Sequence, residues 1–234
     1  MRDVIAIILA GGLSQRMGAR NKLLLPVNGV PMVRHMVQNY AAVATCVIVV
    51  TGHEAGEIEA ALAGTNVVFV FNPGFAEGQQ TSVVCGLRAA GADGVVLMGL
   101  GDQPQLTADD LRALLDAHQV ADPARISIPT ADGRRGNPIV VPAELRARLL
   151  VDGKSPGCKA FTRAHPEYVQ FHQMKAAGFY ADVDTPEDYY RHCGGTMSGN
   201  VMKTLKRIAK RFRRKIALTP EQADLLATIK FPCC

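Results

Sequence analysis

The sequence predicts an α/β protein: a three-layer arrangement in which a mainly parallel, Rossmann-like sheet is covered by helices on both faces. Three observations predict it. Apolar runs of strand length recur at Val4–Leu9, Cys46–Thr51, 67–71 and Val95–Leu100, near-continuous in hydrophobicity as strands buried on both faces are. Between them lie segments with helical spacing, such as Met32, Val33, Met36, Val37 and Tyr40, and strands alternating with helices at this pitch give parallel neighbours. The strands also end on glycines, amides and carboxylates, the side of an open α/β sheet where ligands collect.

Val4–Leu9 feeds the loop Leu9-Ala10-Gly11-Gly12-Leu13-Ser14-Gln15-Arg16-Met17-Gly18-Ala19-Arg20-Asn21-Lys22. Glycines at 11, 12 and 18 let main-chain N–H groups approach an anion closely. Arg16 and Lys22 add a forked and a point positive charge beside those amides, so the loop reads as a phosphate holder. Its spacing is neither G-x-x-x-x-G-K-[ST] nor G-x-G-x-x-G, which excludes the P-loop and dinucleotide-binding fingerprints.

Gly29-Val30-Pro31 marks a turn before the first helix, and Cys46–Thr51 ends on Gly52-His53, with His53 read as an ordinary loop histidine. Residues 57–62 read as a helix. The connection 72–82 is rich in turn formers and amides and leads to a helix over 82–90. Ser82 stands where a helix N-terminus would aim N–H groups at a ligand, and capping by Thr81 or Ser82 explains the same residues. Val95–Leu100 runs into Gly101-Asp102-Gln103-Pro104, and a carboxylate at a strand's end suits Mg2+, which takes one or two carboxylates plus substrate phosphates.

Residues 107–118 read as a helix with Thr107 as N-cap and Asp110 three residues on, and 125–129 as a short strand. Gly133-Arg134-Arg135-Gly136-Asn137-Pro138 precedes the strand Ile139–Val141, and its two arginines would suit an anionic group. At Asp182-Val183-Asp184-Thr185-Pro186-Glu187-Asp188-Tyr189 a strand end meets a helix start, with Thr185 as N-cap, Pro186 at the first helical position and a metal-competent carboxylate at Asp184.

The loop from Leu9 to Lys22 closely resembles the signature of the MobA-like nucleotidyltransferases, with Gly101-Asp102-Gln103-Pro104 and the Asp184 segment following in the family's order over roughly residues 4–190. The resemblance implies a sheet of the nucleotide-diphospho-sugar transferase type and a Mg2+-dependent transfer from a nucleoside triphosphate to a phosphorylated acceptor. It implies that Leu9, Ala10, Gly11, Gly12, Ser14, Arg16, Lys22, Asn72 and Ser82 hold the nucleotide, with Lys22, Arg16 and Asp102 catalytic. Asp102 and Asp184 would carry the metal, and Arg135 and Asn137, on the acceptor-side Gly-Asn-Pro element, would hold the acceptor. Asn21-Lys22-Leu23-Leu24-Leu25-Pro26 looks most like the molybdenum cofactor cytidylyltransferases, whereas Ala10-Gly11-Gly12 looks like the guanylyltransferase branch. CTP is therefore the expected co-substrate and GTP the alternative, with molybdopterin as acceptor and a molybdenum hydroxylase apo-enzyme as recipient. A sugar phosphate, an isoprenoid-precursor phosphate or phospholactate is a further alternative acceptor, and a cofactor-carrying chaperone is the non-enzymatic one.

The composition, 48% hydrophobic and 20% charged over 234 residues, is that of a globular protein. No apolar run approaches a membrane span of about 20 residues, and Met1-Arg2-Asp3 leads into a strand, so a cytoplasmic protein is expected. Cys46, Cys85, Cys158, Cys193, Cys233 and Cys234 are scattered, which reads as reduced thiols. From Val201 onward nine Lys or Arg stand against Glu221 and Asp224, a balance of +7 that leaves the first 200 residues at −2 within the total of +5. The division expected is an enzyme domain over 1–195 and a linker with a basic helical extension over 196–234. That extension could lie on an anionic membrane, dock on an acidic partner or pack as a helix hairpin on its own domain or a second subunit. Nucleic acid is not an expected partner, and with little aromatic content the extension does not suit a stacking platform for single strands.

Overall fold

The computed structural model describes residues 3–18, 20–151 and 158–193; the expected linker and basic extension over 196–234 lie outside them. The strands and helices are β1 (Val4–Leu9), β2 (Pro26–Val27), β3 (Val30–Pro31), α1 (Met32–Ala41), β4 (Cys46–Thr51), α2 (Ala55–Ala61), β5 (Val68–Phe71), α3 (Gln79–Ala89) and β6 (Val95–Leu100). There follow α4 (Ala108–Val120), β7 (Ile126–Ala131), β8 (Arg134–Arg135), β9 (Ile139–Val141), α5 (Ala143–Val151), α6 (Cys158–Ala164), β10 (Val169–Gln173) and α7 (Pro186–Cys193).

One sheet runs in the order β10-β7-β9-β6-β1-β4-β5, with β8 paired to β7, and β2 and β3 form a separate hairpin. β1 pairs parallel with β4 and β6, while β9 runs antiparallel to both β6 and β7. The register sets Leu9 opposite both Val50 and Leu100. The carboxyl ends of three adjacent strands are thereby level, and the loops after β1, β4 and β6 emerge side by side.

Successive residues of β1 enter different cores, as the period of two requires. Ala6 and Ile8 pack with Met36 and Tyr40 of α1, while Ile7 packs with Val83 and Leu87 of α3. Both sheet faces are covered, which explains why β1, β4 and β6 read as continuous apolar runs. Burying side chains such as Ile7, at 0% exposure, contributes about 1.5–3 kcal/mol each.

Both expected capping boxes form. Thr107 Oγ1 accepts from Asp110 N–H at 3.2 Å and Thr107 N–H donates to Asp110 Oδ2 at 3.0 Å; Thr185 and Asp188 repeat the pattern at 3.2 and 3.0 Å. The start of α3 differs from expectation. The helix begins at Gln79, and its N-cap is Gly78 at φ 122 with no side-chain cap, so Ser82 lies within the first turn and neither Thr81 nor Ser82 is the cap. A glycine can make the required turn without a capping side chain. Before α7 no strand forms; Val183 N–H makes a single bond to Asp102 carbonyl at 2.9 Å. Among the described residues no helix is long and apolar enough to cross a membrane, and Cys46, Cys85, Cys158 and Cys193 are free thiols.

Candidate active site

The loop after β1 is anchored at both ends. Ala10 N–H continues the ladder to Val50 carbonyl at 2.8 Å, and His53 N–H donates to Gly11 carbonyl at 3.3 Å. A Cβ on Gly11 would lie 3.3 Å from the backbone of Gly52, so the turns after β1 and β4 touch backbone to backbone. Ser14 sits at φ 49, and its Oγ accepts from Lys22 N–H at 3.3 Å. Asn21 Oδ1 accepts from Leu23 N–H at 3.1 Å. These bonds fold the loop back and aim the Lys22 side chain at the end of β6.

There Lys22 Nζ is bonded to Asp102 Oδ2 and lies 2.9 Å from Asp184 Oδ1, while Arg16 Nη2 lies 2.9 Å from Asp184 Oδ2. One ammonium group thus ties Lys22 to carboxylates 80 and 162 positions further along the chain. The backbone bond from Val183 to Asp102 brings the two carboxylate segments together. Burial works against the charge on Lys22, and the carboxylates of Asp102 and Asp184 outweigh it, so the lysine is held above its ordinary value and stays cationic. Burial likewise raises Asp184, but Lys22 and Arg16 outweigh that and hold it below the usual carboxylate range. Asp182 shows the reverse: burial, with the charges of Asp102 and Asp184, pushes its carboxyl up to about 6 despite a hydrogen bond from Gln103.

Asp102 Oδ1 and Asp182 Oδ1 are buried without a hydrogen-bond partner among the described residues. Asp102 Oδ1, an unpaired hard oxygen donor beside a second carboxylate, could take part in holding a divalent cation that completes its shell with substrate phosphates, although among the described residues no three His, Cys, Asp or Glu form a ready-made metal site. Asp102 and Asp184 are the residues that would hold it.

Two cavities meet at this cluster and share Leu9, Gln79 and Leu100. The smaller, about 620 Å³, is lined by Gly11, Gly12, Ser14, Arg16 and Lys22 of the loop. Ser82, Asp102 and Asp184 line it as well. The larger, about 980 Å³, is lined by Arg135 and Asn137 and by Asp182. Both fall within the size range of ligand sites. Of the residues expected from the sequence, Ala10 and Asn72 line neither cavity, each being 1% exposed. Ala10 is core beneath the loop. Asn72 donates to Thr81 Oγ1 at 2.8 Å and Ser82 Oγ at 2.9 Å and accepts from Gly74 N–H at 3.0 Å, so its amide positions Ser82.

Sequence reasoning missed α6, which brings Lys159, Thr162 and Arg163 to the larger cavity. Lys159 and Arg163 are four apart, the spacing that puts two side chains on one helix face, and that was the signal available. It also missed Asp182, whose neighbour-but-one Asp184 drew the attention.

Residues 6–169 match the family described as the MobA-like NTP transferase domain. The nicotine blue oxidoreductase of Paenarthrobacter nicotinovorans is 31% identical over 80% of this chain and 95% of its own length. The molybdenum cofactor cytidylyltransferase of Escherichia coli is 27% identical over 81% and 95%, and the molybdenum cofactor guanylyltransferase of Cupriavidus metallidurans 29% over 81% and 94%. Among solved structures, a nucleotidyl transferase from Methanothermobacter thermautotrophicus superposes with a TM-score of 0.70 at 28% identity, covering 82% of this chain and 96% of that one.

Proposed function

The chain belongs to the MobA-like NTP transferase family, and from that premise we propose that it joins CMP from CTP to the phosphate of molybdopterin, releasing pyrophosphate, for the maturation of a molybdenum hydroxylase. That it is a nucleotidyltransferase related to the molybdenum cofactor cytidylyl- and guanylyltransferases follows from the matches in sequence and structure. The observation that carries the reading is the lysine bridging two carboxylates where the two cavities meet. One cavity suits a triphosphate and the other an acceptor.

In the proposed reaction an acceptor phosphate oxygen attacks the α-phosphorus in line; the new P–O bond forms as the bond to the β-phosphate oxygen breaks, and pyrophosphate departs with that electron pair. Such transfer rests on positioning and charge stabilisation, with no side-chain nucleophile. Lys22, held cationic, would meet charge developing at the α-phosphate, and Arg16 with the loop amides would hold the leaving pyrophosphate. Mg2+, when bound, supplies further neutralisation of phosphate charge. Asn72 keeps the Ser82 hydroxyl at the cavity wall.

Support for CTP comes from the residues after the loop, Asn21 to Pro26, and from Gly101-Asp102-Gln103-Pro104. Gly11, the residue resembling the guanylyltransferase branch, has a separate physical reason: it packs on Gly52. GTP remains the alternative base. The name of the P. nicotinovorans relative points to redox chemistry instead, but a lysine and two carboxylates at one point suit a polyphosphate and a divalent cation. The cytoplasm is the proposed location, and the extension over 196–234 the proposed means of docking on the recipient.

The test is pyrophosphate release with Mg2+, molybdenum-loaded molybdopterin and each of CTP, GTP, ATP and UTP, with Asp102→Ala as control. Release with CTP, absent in the control, is expected. Release with GTP alone reassigns the base. Silence with all four overturns the acceptor.

A further inference from the structure

The larger cavity carries more positive charge than the two arginines of the Gly-Asn-Pro turn account for. Arg134 and Arg135 enter from β8, and Lys159 and Arg163 from α6. All four are exposed, and among the described residues none of them forms a salt bridge to a carboxylate. The acidic residue among the described lining is Asp182.

The cations are held near one another rather than dispersed. Arg135 Nη2 donates to Thr162 Oγ1 at 2.7 Å, and Thr162 Oγ1 in turn donates to Cys158 carbonyl at 2.6 Å. Thr162 is 4% exposed, so a fixed hydroxyl on α6 ties the guanidinium of β8 to the helix that carries Lys159 and Arg163. The guanidinium carbon of Arg135 also lies 5.4 Å from the centroid of the Phe171 ring, a cation–π contact that further restrains it. Burial and the charge of Arg163 both lower the affinity of Arg135 for its proton. Like charges gathered without a carboxylate paired to any of them destabilise the protein on their own, and such an arrangement is resolved by an anion placed among them.

We infer that Arg135, Lys159 and Arg163 form a clamp for the phosphomonoester dianion of the acceptor, with Thr162 as the residue that positions Arg135. This rests on the transferase reading and deepens it: α6, not only the Gly-Asn-Pro turn, holds the acceptor's phosphate. The clamp would hold the acceptor phosphate doubly charged and oriented, in the cavity adjoining the one that takes the triphosphate.

The test uses the full chain with Mg2+ and inorganic tripolyphosphate saturating the smaller cavity, and follows titration of inorganic phosphate by calorimetry. Wild type is expected to bind one phosphate, and Lys159→Gln and Arg163→Gln each to bind it about ten-fold more weakly, the effect of losing one charge-assisted hydrogen bond. Both side chains are exposed, so melting temperature should not move. Arg112→Gln, which removes an exposed arginine paired with Asp109 on α4, should bind phosphate as wild type does. Acetate, singly charged, should fail to compete. In turnover the two variants should raise KM for the acceptor about ten-fold while KM for the nucleotide and kcat stay within about two-fold. Equal phosphate affinity in wild type and variants, no phosphate bound, competition by acetate, or the same loss in Arg112→Gln would each overturn the clamp. Because phosphate and tripolyphosphate carry neither a base nor a pterin, the outcome of the binding titration is independent of whether CTP and molybdopterin are the substrates.

Discussion

At the scale of single residues, the charge balance around Lys22 decides what each substitution should do. Lys22 is 14% exposed and neutralises two carboxylates, whereas Arg16 is 67% exposed and touches one. Lys22→Ala should therefore lower kcat by about 10²–10³, the usual effect of removing a preorganised group that stabilises developing charge. Arg16→Ala should cost about ten-fold, since an exposed pair is weak; single-turnover rates with the two variants measure the difference, and equal losses would contradict these roles. That Lys22, Arg16 and Asp102 would line one cavity was legible in the sequence because all three sit in loops that leave strand ends, where local order along the chain nearly equals position in space. The role of Asn72 was not legible, since only packing shows that its amide hydrogens go to Thr81 and Ser82.

At the scale of elements, the regular parts were legible wherever one local signal settled them. β1, β4 and β6 were read from apolar runs, and α4 and α7 from their capping residues. The pieces that escaped, β2, β3, β8, α5, α6 and β10, are short or flanked by mixed polar residues; β2–β3 and β7–β8 are local hairpins paired over two residues each, whereas β10 depends on a partner far along the chain, β7. Helix α5 shows how much such a piece can carry. Its Arg146, 3% exposed, donates to the carbonyls of Ala90 at 3.3 Å, Gly91 at 2.8 Å, Asp93 at 2.8 Å and Gly94. One guanidinium thereby satisfies the turn between α3 and β6 and sets where β6 begins. Arg146→Ala should destabilise the protein by about 2–4 kcal/mol through unsatisfied carbonyls; chemical denaturation measures it, and a loss below about 1 kcal/mol would show that water replaces the side chain.

At the scale of the whole molecule, the described residues that line both cavities fall between Leu9 and Asp184. A chain ending at residue 196 should therefore keep pyrophosphate release within about two-fold of the full chain while losing delivery to the recipient apo-enzyme; loss of turnover would place the extension in the catalytic unit. By itself the sequence determined the fold class, the glycine-rich loop after β1 with its two cations, and the carboxylate after β6, because strand burial, glycine conformation and strand-end position are local properties of a chain. Only the tertiary structure decided that Asp184 shares Lys22 with Asp102, that Gly11 packs closely on Gly52, and that α6 adds Lys159 and Arg163 to the lining of the larger cavity. Those are contacts between segments tens of residues apart, and the free energy that selects them comes from burying two sheet faces and pairing charge across the folded chain, which no single stretch of sequence contains.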